Sequence, residues 1–310
     1  MQGDVMESGS NLERVLANGV FAVTSELGPP KGADAEKVRA KGELLRSCSD
    51  AVNITDNQTA VVRLSSIGAA VTLHNMGVEP VIQLTTRDRN RLALQSDVLG
   101  AASLGIRNIL CLTGDHQSFG NHPEARGVFD IDSIQFIQMC RGMREGVFMS
   151  GDKLLSSWPR LFIGGAVNPF SEPPEASFIR LEKKIDAGAD FIQTQAIFDV
   201  PRFAEWMERV RDQGLDSGVS ILAGVAPVKN TAIARRMKDF IPGMAVPDSF
   251  VHRMEKAQDP AAEGFDASLD IIKEIMGLRG VKGIHIMPVM WESVVPKLVE
   301  EAGLLPRPRQ

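Results

Sequence analysis

Eight short apolar runs recur along the chain, and longer segments with helical spacing lie between most of them. Most of these runs are uniformly apolar, which is typical of parallel strands buried on both faces. The runs are residues 21–27, 51–55, 80–85, 108–114, 161–167, 190–195, 219–224 and 283–288. Helices are expected at residues 34–48, 88–104, 174–187, 201–213, 230–240, 263–278 and 291–302. Eight strand–helix units in 310 residues match the count of a (β/α)8 barrel.

We therefore predict a (β/α)8 TIM barrel that forms a single domain over residues 1–310, with a short N-terminal extension at residues 1–19. A doubly wound open sheet is the structural alternative, but no GxGxxG motif follows the first apolar run. A long polar loop is expected at residues 115–129, and a loop of this length inside a compact domain is usually functional or mobile.

The composition excludes several classes of function. A net charge of −5 argues against a nucleic-acid binder, and no apolar run reaches the roughly 18 residues that would span a membrane. The N-terminal segment has early acids and no apolar stretch, unlike a secretory signal. Cys48, Cys111 and Cys140 are far apart, which favours free thiols in a reducing compartment, and no CxxC or HxxxH spacing predicts a metal site. We expect a cytoplasmic protein without a bound metal.

Polar residues close most of the predicted strands, at the end where barrel enzymes carry out their chemistry. Glu26 closes the first strand, and because two prolines follow it and Glu is a poor N-cap, we expect it to be functional. Asp115 follows the fourth strand and has two open interpretations. It is either a functional carboxylate or an acceptor for backbone N–H groups of its own loop.

Two glutamines, Gln193 and Gln195, lie on one side of the sixth strand, with Gln195 at its open end. Buried amides need partners, and a heteroaromatic ligand can supply them. We expect His285 to be a structural core histidine, and Met287, Met290 and Trp291 to be packing residues and not part of a cofactor site. The polar residues at the predicted strand ends include no nucleophile–base pair, and their side chains cannot carry electrons. Redox chemistry at this end of the barrel would therefore need a cofactor. These residues alone predict a barrel enzyme with a planar ligand.

Six segments resemble the methylenetetrahydrofolate reductase family, in order and across residues 20–305. They are SELGPPKG at 25–32, NITDN at 53–57, LTTRDRN at 84–90, GIRNILCLTGD at 105–115, KKIDAGADFIQTQAIFDV at 183–200 and GIHIMP at 283–288. The resemblance implies a flavin-dependent barrel enzyme that reduces 5,10-methylenetetrahydrofolate to 5-methyltetrahydrofolate. It implies FAD or FMN as the flavin, and NADH, NADPH or a partner protein as the electron donor.

The resemblance also implies roles for individual residues. Glu26 would assist protonation of folate N10, Asp115 would stabilise the cationic iminium, and Gln195 would contact the pterin. The implied flavin contacts lie on or near the strand ends and on the helix after the fifth strand. They are Thr55, Gln83, Thr113, Gly114, Ala166, Asn168 and Lys184. Lys184 would pair with a flavin phosphate.

The sequence departs from the family at several of these contacts. Family members often have His in place of Gln83, Arg in place of Thr113 and Tyr near Asn168, and they commonly have Arg near Trp291. The segments at 84–90 and 283–292 resemble a branch from acetogenic bacteria in which the reductase works with a zinc-containing second subunit. We therefore expect a homo-oligomer, such a partner subunit, or both.

Two other functions stay open at this point. One is a flavin-free folate- or pterin-binding barrel subunit of a methyl-transfer complex. The other is a non-catalytic folate-binding scaffold, against which Glu26 and Asp115 argue, because a scaffold has no use for a proton donor beside a charge stabiliser.

Overall fold

A closed barrel of eight parallel strands forms the centre of the computed structural model, which describes residues 8–241 and 243–308. The strands are β1 (Ala22–Leu27), β2 (Ala51–Ile54), β3 (Pro80–Thr85), β4 (Asn108–Leu112), β5 (Phe162–Val167), β6 (Phe191–Ala196), β7 (Ser220–Val225) and β8 (Val281–Ile286). Each strand pairs with its neighbour in sequence, and β1 pairs with β8 to close the barrel. The predicted (β/α)8 barrel is confirmed, and the open-sheet alternative is wrong.

Helices surround the barrel, and most of them pack on the outer faces of its strands. In the described ranges they are α1 (Asn11–Ala17), α2 (Ala35–Leu45), α3 (Ser66–Asn75), α4 (Arg91–Ser103), α5 (Ser133–Arg144), α6 (Glu175–Ala187), α7 (Val200–Asp212), α8 (Thr231–Phe240), α9 (Asp248–Lys256), α10 (Pro260–Met276) and α11 (Val295–Glu301). None of these helices combines the length and the apolarity that crossing a bilayer requires. The expected helices correspond to seven of them, whereas α1, α3, α5 and α9 were not predicted.

Two strands differ from their predicted bounds by two residues, whereas the bounds of the others agree to within one residue. β4 ends at Leu112 and not at residue 114, because Gly114 takes a φ of +90° and turns the chain out of the sheet. β8 begins at Val281, two residues early, because Val281 already pairs with Ile221 of β7. The exposed Lys282 that follows Val281 hides this start in the sequence pattern.

The lower end of the barrel, where the strands begin, is filled by apolar side chains. Leu12 and Val15 of α1 pack there with inward-facing strand residues, including the stacked rings of Phe162 and Phe191 at 5.2 Å. The extension expected at residues 1–19 therefore contains a helix that closes this end of the barrel, while residues 1–7 lie outside the described ranges.

Above this layer, the barrel interior becomes polar. Asn53 of β2 and Gln193 of β6 exchange two hydrogen bonds across the interior, with N···O distances of 2.7 Å and 3.1 Å. Gln193 also donates to the hydroxyl of Thr24 on β1 at 3.3 Å. Because these side chains are almost fully buried and satisfy one another, the amide of Gln193 does not need a ligand as its partner.

The three cysteines of the chain are free, as the sequence predicted, and all three are buried. Burial raises the pKa of the Cys48 thiol to about 11, so that this thiol stays protonated near neutral pH.

Candidate active site

Glu26 lies at the upper end of β1, and its side chain is 13% exposed. Its two carboxylate oxygens accept long hydrogen bonds from amides on neighbouring elements. Gln83 of β3 donates to one oxygen at 3.2 Å, and Gln58, in the loop after β2, donates to the other at 3.4 Å. The carboxylate is therefore oriented from two sides while one side of it faces a cavity.

A histidine lies beneath this carboxylate. His285 of β8 is 3% exposed, and its Nε2 lies 3.9 Å from the nearer oxygen of Glu26. Its Nδ1 lies 3.0 Å from the hydroxyl of Thr24. His285 was expected to be a structural core residue, and it is buried, but it also contacts the carboxylate predicted to be catalytic.

A cavity of about 580 Å³ opens beside Glu26 between the loops that follow β1 and β2, helix α8 and the segment after β8. Pro29, Pro30, Met237 and Pro288 give it apolar walls, and Met290 lies at its edge. Met290 was predicted to be a packing residue, but it is 82% exposed at the cavity edge. A cavity with mainly apolar walls and a few polar groups is the usual form of a small-molecule site.

Asp115 lies on a second, larger cavity of about 1080 Å³, between the loop after β4 and helix α8. Its carboxylate accepts the backbone N–H of Thr59 at 3.2 Å. Thr59 belongs to the loop after β2, so Asp115 accepts a hydrogen bond from outside its own loop. Thr59, Arg236 and Ile241 line both cavities, which shows that the two lie side by side at the barrel mouth.

A short 3-10 turn, Gln58–Ala60, separates the two carboxylates and contacts both of them. Thr59 and Ala60 have φ values of +54° and +56°, which are unfavourable for residues with a side chain and cost on the order of 1–3 kcal/mol each. The turn packs so closely on the loop after β4 that a Cβ at Gly120 would lie 1.8 Å from the carbonyl oxygen of Ala60. The surrounding contacts thus hold a strained backbone across the mouth.

Arg87, in the LTTRDRN segment, anchors both loops from below and is only 2% exposed. Its guanidinium donates to the backbone carbonyls of Asp115 and Asn57, each at 3.2 Å, and to the carboxylate of Asp88 at 2.7 Å and 2.8 Å. Burial favours the neutral form of Asp88, but the hydrogen bonds and charge of Arg87 hold the pKa of Asp88 below its usual range. The ion pair therefore persists near neutral pH and keeps the two loops in place.

Further residues predicted to bind the flavin stand around the same rim. The hydroxyl of Thr55 is buried and has no hydrogen-bond partner, which is unusual for a buried polar atom. Thr113 accepts the backbone N–H of Ser133 at the start of α5 at 3.3 Å. Asn168 donates to the carbonyl of Gly243 at 3.1 Å, and it thereby ties the β5 end to the segment after α8.

Lys184 lies on α6 and is 4% exposed. Its amine donates to the carbonyl oxygen of Ala166 at the tip of β5. Burial lowers the pKa of Lys184 to about 8, and the charge of Arg180 acts in the same direction. Gln195 closes β6, and its side-chain oxygen accepts the backbone N–H of Ala196 at 3.1 Å.

A family profile described as methylenetetrahydrofolate reductase matches residues 11–303. The chain belongs to this family. The resemblance drawn from the sequence motifs is therefore confirmed.

Curated members of the methylenetetrahydrofolate reductase family are similar to the chain at modest identity. Methylenetetrahydrofolate reductase 2 of Schizosaccharomyces pombe is 26% identical over 232 residues, which cover 72% of this chain and 36% of that protein. The 5,10-methylenetetrahydrofolate reductase of Salmonella typhimurium is 27% identical over 214 residues, which cover 67% of this chain and 65% of that protein. The match thus spans about a third of the yeast protein and just under two thirds of the bacterial one.

Solved structures show the same fold. A protein from Clostridium thermocellum described as binding two copies of 5-methyl-5,6,7,8-tetrahydrofolic acid has a TM-score of 0.67 at 15% identity, covering 94% of this chain and 98% of that one. Tryptophan synthase from M. tuberculosis has a TM-score of 0.51 at 14% identity, covering 97% of this chain and 98% of that one. At these identities the likeness extends to the barrel and not to the chemistry.

The structure of this methylenetetrahydrofolate reductase family member brings some predicted site residues together. Glu26 and Gln83 are in direct contact, whereas Asp115 reaches Glu26 only through the Gln58–Ala60 turn. The contacts of Gln58, Arg87 and His285 at the site were not predicted from the sequence. Arg87 and His285 stand inside family motifs and could have been flagged on that ground, but Gln58 lies outside every quoted motif.

Replacing Gly114 with alanine should destabilise the protein and displace Asp115. Gly114 has a φ of +90°, and a Cβ there would lie 3.0 Å from Cβ of Thr85 and 3.2 Å from Cβ of Arg87. Gly151→Ala is a matched control, because Gly151 has a φ of +93° and nothing within 4 Å of the added atom. Urea unfolding should show a loss of about 1–2 kcal/mol for the control, from backbone strain. Gly114→Ala should lose a further ~1–3 kcal/mol from overpacking, and equal losses would contradict the close packing.

Lys184 should make the free energy of unfolding depend on pH. Between its folded pKa of about 8 and its ordinary value of 10.5, the unfolded chain holds a proton that the folded chain has released. The free energy of unfolding should therefore rise with pH across this window, by up to about 1.4 kcal/mol per unit. Lys184→Met should remove this rise, whereas Lys183→Met, at an exposed position, should keep it. Denaturant titrations at several pH values from 7 to 10 measure this dependence. If the free energy of unfolding had the same slope against pH in wild type and in Lys184→Met, the prediction would be wrong.

Proposed function

We propose that this chain is a flavin-dependent oxidoreductase that reduces 5,10-methylenetetrahydrofolate to 5-methyltetrahydrofolate. Its membership of the methylenetetrahydrofolate reductase family supports the reaction class. The observation that carries the proposal is the position of Glu26. Its carboxylate lies at the edge of a cavity of about 580 Å³ and is oriented by the amides of Gln83 and Gln58. A carboxyl group in this setting can hold one proton and deliver it to a ligand in the cavity.

The residues around the mouth fit a flavin. The buried hydroxyl of Thr55 is without a hydrogen-bond partner, and a ring carbonyl or N–H group of a flavin would satisfy it. Gln83, Thr113, Gly114, Ala166, Asn168 and Lys184 are the other proposed contacts. When bound there, a reduced flavin supplies the electron pair that this reduction needs, because the side chains of the site cannot. We propose FAD as the flavin, with FMN as the alternative.

Glu26 acts as the general acid in this proposal. Its proton passes to folate N10 as the five-membered ring opens, which leaves a cationic iminium and a carboxylate. Gln83 and Gln58 hold the two oxygens of Glu26, so the acid needs little reorientation when the substrate arrives. The pterin of the substrate would contact Gln195 at the tip of β6.

Asp115 supplies a negative charge at the same face of the barrel. A fixed carboxylate stabilises a cation that develops during the reaction, and the effect is larger where the ligand excludes water. Arg87 holds the backbone of Asp115 by donating a hydrogen bond to its carbonyl oxygen at 3.2 Å, while the guanidinium forms its ion pair with Asp88. The loop position of Asp115 is thereby fixed, while its carboxylate stays accessible.

The electron donor and the assembly are further parts of the proposal. We propose NADH, NADPH or a zinc-containing partner subunit as the donor, and a homo-oligomeric state for the chain. Mass analysis of the flavin released from purified protein, followed by a donor screen with 5,10-methylenetetrahydrofolate, tests the function. A colourless protein that reduces no folate with any donor would refute it and favour the flavin-free alternative.

Thr55→Val should weaken flavin binding without lowering the free energy of unfolding. Removing an unsatisfied buried hydroxyl should leave the free energy of unfolding unchanged or raise it by up to about 1 kcal/mol. The affinity for flavin should fall about tenfold, since one hydrogen bond is lost. Ser66→Ala is the matched control, because Ser66 also has a buried hydroxyl without a partner but is not a proposed contact. Flavin fluorescence during reconstitution of the stripped protein measures the affinity, and equal affinities in both variants would count against Thr55.

Glu26→Gln should leave the flavin bound and reducible but slow folate reduction by about 100-fold or more, the usual size of general acid catalysis. Glutamine keeps the size of the side chain and one of its two acceptor oxygens, but it has no acidic proton to transfer. Rapid-mixing measurements of flavin reduction and of flavin reoxidation by folate separate the two half-reactions. Glu43→Gln on the exposed face of α2 serves as the control. Wild-type folate reduction by Glu26→Gln would remove this residue from the mechanism.

A further inference from the structure

We propose that two copies of this chain associate through the flank of the barrel beside α4, with Leu155 of each copy entering a cavity of the other. This inference goes beyond the proposed reaction, because it locates the interface of the homo-oligomer and involves neither flavin nor folate. The surface belongs to the connection between α5 and β5, which has 17 residues, 145–161. The other connections from a helix into a barrel strand have three to seven residues. A connection as long as this one is uncommon in a compact domain and usually has a function of its own.

The 145–161 connection is folded against the outside of the barrel and stands apart from its mouth. It begins with a hairpin, residues 147–153, which an antiparallel bridge between its two end residues closes. Met149 in this hairpin donates its backbone N–H to the side-chain oxygen of Gln95 on α4 at 2.9 Å. Because the connection leads into the start of β5, it lies away from the strand tips that carry the chemistry of a barrel enzyme. Its length therefore points to a role other than binding the folate or the flavin.

This part of the surface carries both a projecting apolar side chain and a hole that can receive one. Leu155, just after the hairpin, is 100% exposed, and Trp158 is 55% exposed. Between the hairpin and α4 lies a cavity of about 880 Å³, with apolar walls from Leu92, Leu99, Val128, Phe148 and Met149. Since the same connection carries the projection and walls the hole, a two-fold axis between two copies can bring each Leu155 to the cavity of the other copy. Such a contact closes on itself and gives a dimer, not a filament.

The exposed apolar area of this flank is close to what a stable dimer needs. Its large apolar side chains that are at least one-third exposed are Leu92, Val128, Val147, Met149, Leu155 and Trp158. Together they expose on the order of 600 Å², which matches the largest apolar patches of typical monomers. A standard interface buries about 800 Å² of each partner, with the polar rim included. Association would remove these side chains from water, and the burial of apolar surface is the main driving force of most protein association.

The charges of this flank favour a second copy over a partner of opposite charge. Arg91 and Asp130 stand at the cavity and pair with each other at 2.8 Å. Asp152 and Lys153 are neighbours in the hairpin. The charged residues of the hairpin and the cavity therefore balance, so two identical surfaces do not repel each other. A surface without net charge gives an acidic or a basic partner no electrostatic advantage, which leaves the fit of Leu155 to the cavity as the basis of recognition.

Leu155→Glu tests the interface. Sedimentation velocity should show wild type as a dimer or as an assembly of dimers, and the dissociation constant of the variant should be about 30-fold higher or more, the effect of losing a hot-spot residue. Because Leu155 is fully exposed within one chain, its replacement removes no contact of the fold, so a loss of assembly does not come from unfolding. Met276→Glu is the control, since Met276 is 38% exposed on α10, which covers β7 and β8, and should assemble like wild type. A monomeric wild type, or equal dissociation constants in wild type and Leu155→Glu, would overturn the proposal.

A pair of introduced cysteines tests the two-fold geometry. Ser96 is exposed and lines the cavity, so Ser96→Cys combined with Leu155→Cys places one new thiol in the hole and one on the projection. The three native cysteines are buried and do not compete. Mild oxidation with copper phenanthroline should join two copies through two disulfides into a closed dimer, seen as one band on a non-reducing gel, whereas Ser96→Cys alone should run as a monomer. Monomers only, or a ladder of longer chains from head-to-tail contacts, would contradict the two-fold arrangement. Because neither experiment uses the reaction, a failure of the proposed function would appear separately, as a dimer that reduces no folate.

Discussion

The double hydrogen bond between Asn53 and Gln193 is the interaction on which the polar half of the barrel depends. It joins β2 to β6, on opposite sides of the barrel, and it satisfies two amides that no water reaches. Below it the interior is apolar and filled by rings, and above it stand the side chains of the mouth. Without this brace Gln193 would be an unsatisfied buried amide, and the Thr24 hydroxyl would lose the donor that fixes its orientation.

The mouth itself depends on a second buried group, the guanidinium of Arg87. It holds the loops after β2 and β4 by their carbonyl groups, and these loops carry the strained Gln58–Ala60 turn and Asp115. The two carboxylates proposed for catalysis are thus positioned from different elements. Glu26 stands on a rigid strand, whereas Asp115 stands on a loop whose place is set by an ion pair beneath it.

The sequence predicted most of the barrel because parallel strands buried on both faces leave uniformly apolar runs. It missed α3, where alanine and glycine replace the large apolar residues of a clear amphipathic pattern, and α5, although Asp132 and Gln135 form a readable capping box. For the candidate site, the residue type of Glu26 and its position at the end of a predicted strand were enough to predict that it lies at the barrel mouth. Residue type and strand position could not show that Gln193 is satisfied inside the barrel whereas Gln195 lies at the strand tip. The partner of Gln193 is Asn53, which is 140 residues away in sequence and contacts it only in the closed barrel.

The two ends of the described chain meet at the lower end of the barrel. Asn11 donates to the backbone carbonyl of Asp50 at 2.8 Å, and Arg307 binds the carboxylate of the same residue at 2.5 Å. The carboxylate of Asp50 also accepts the backbone N–H of Val23 on β1 at 2.8 Å, so one buried side chain connects the first barrel strand to a segment that follows the last one. Loss of this carboxylate would therefore loosen the seam between β1 and the C-terminal segment on the side of the molecule that faces away from Glu26, because the Arg307 guanidinium would lose its buried counter-charge.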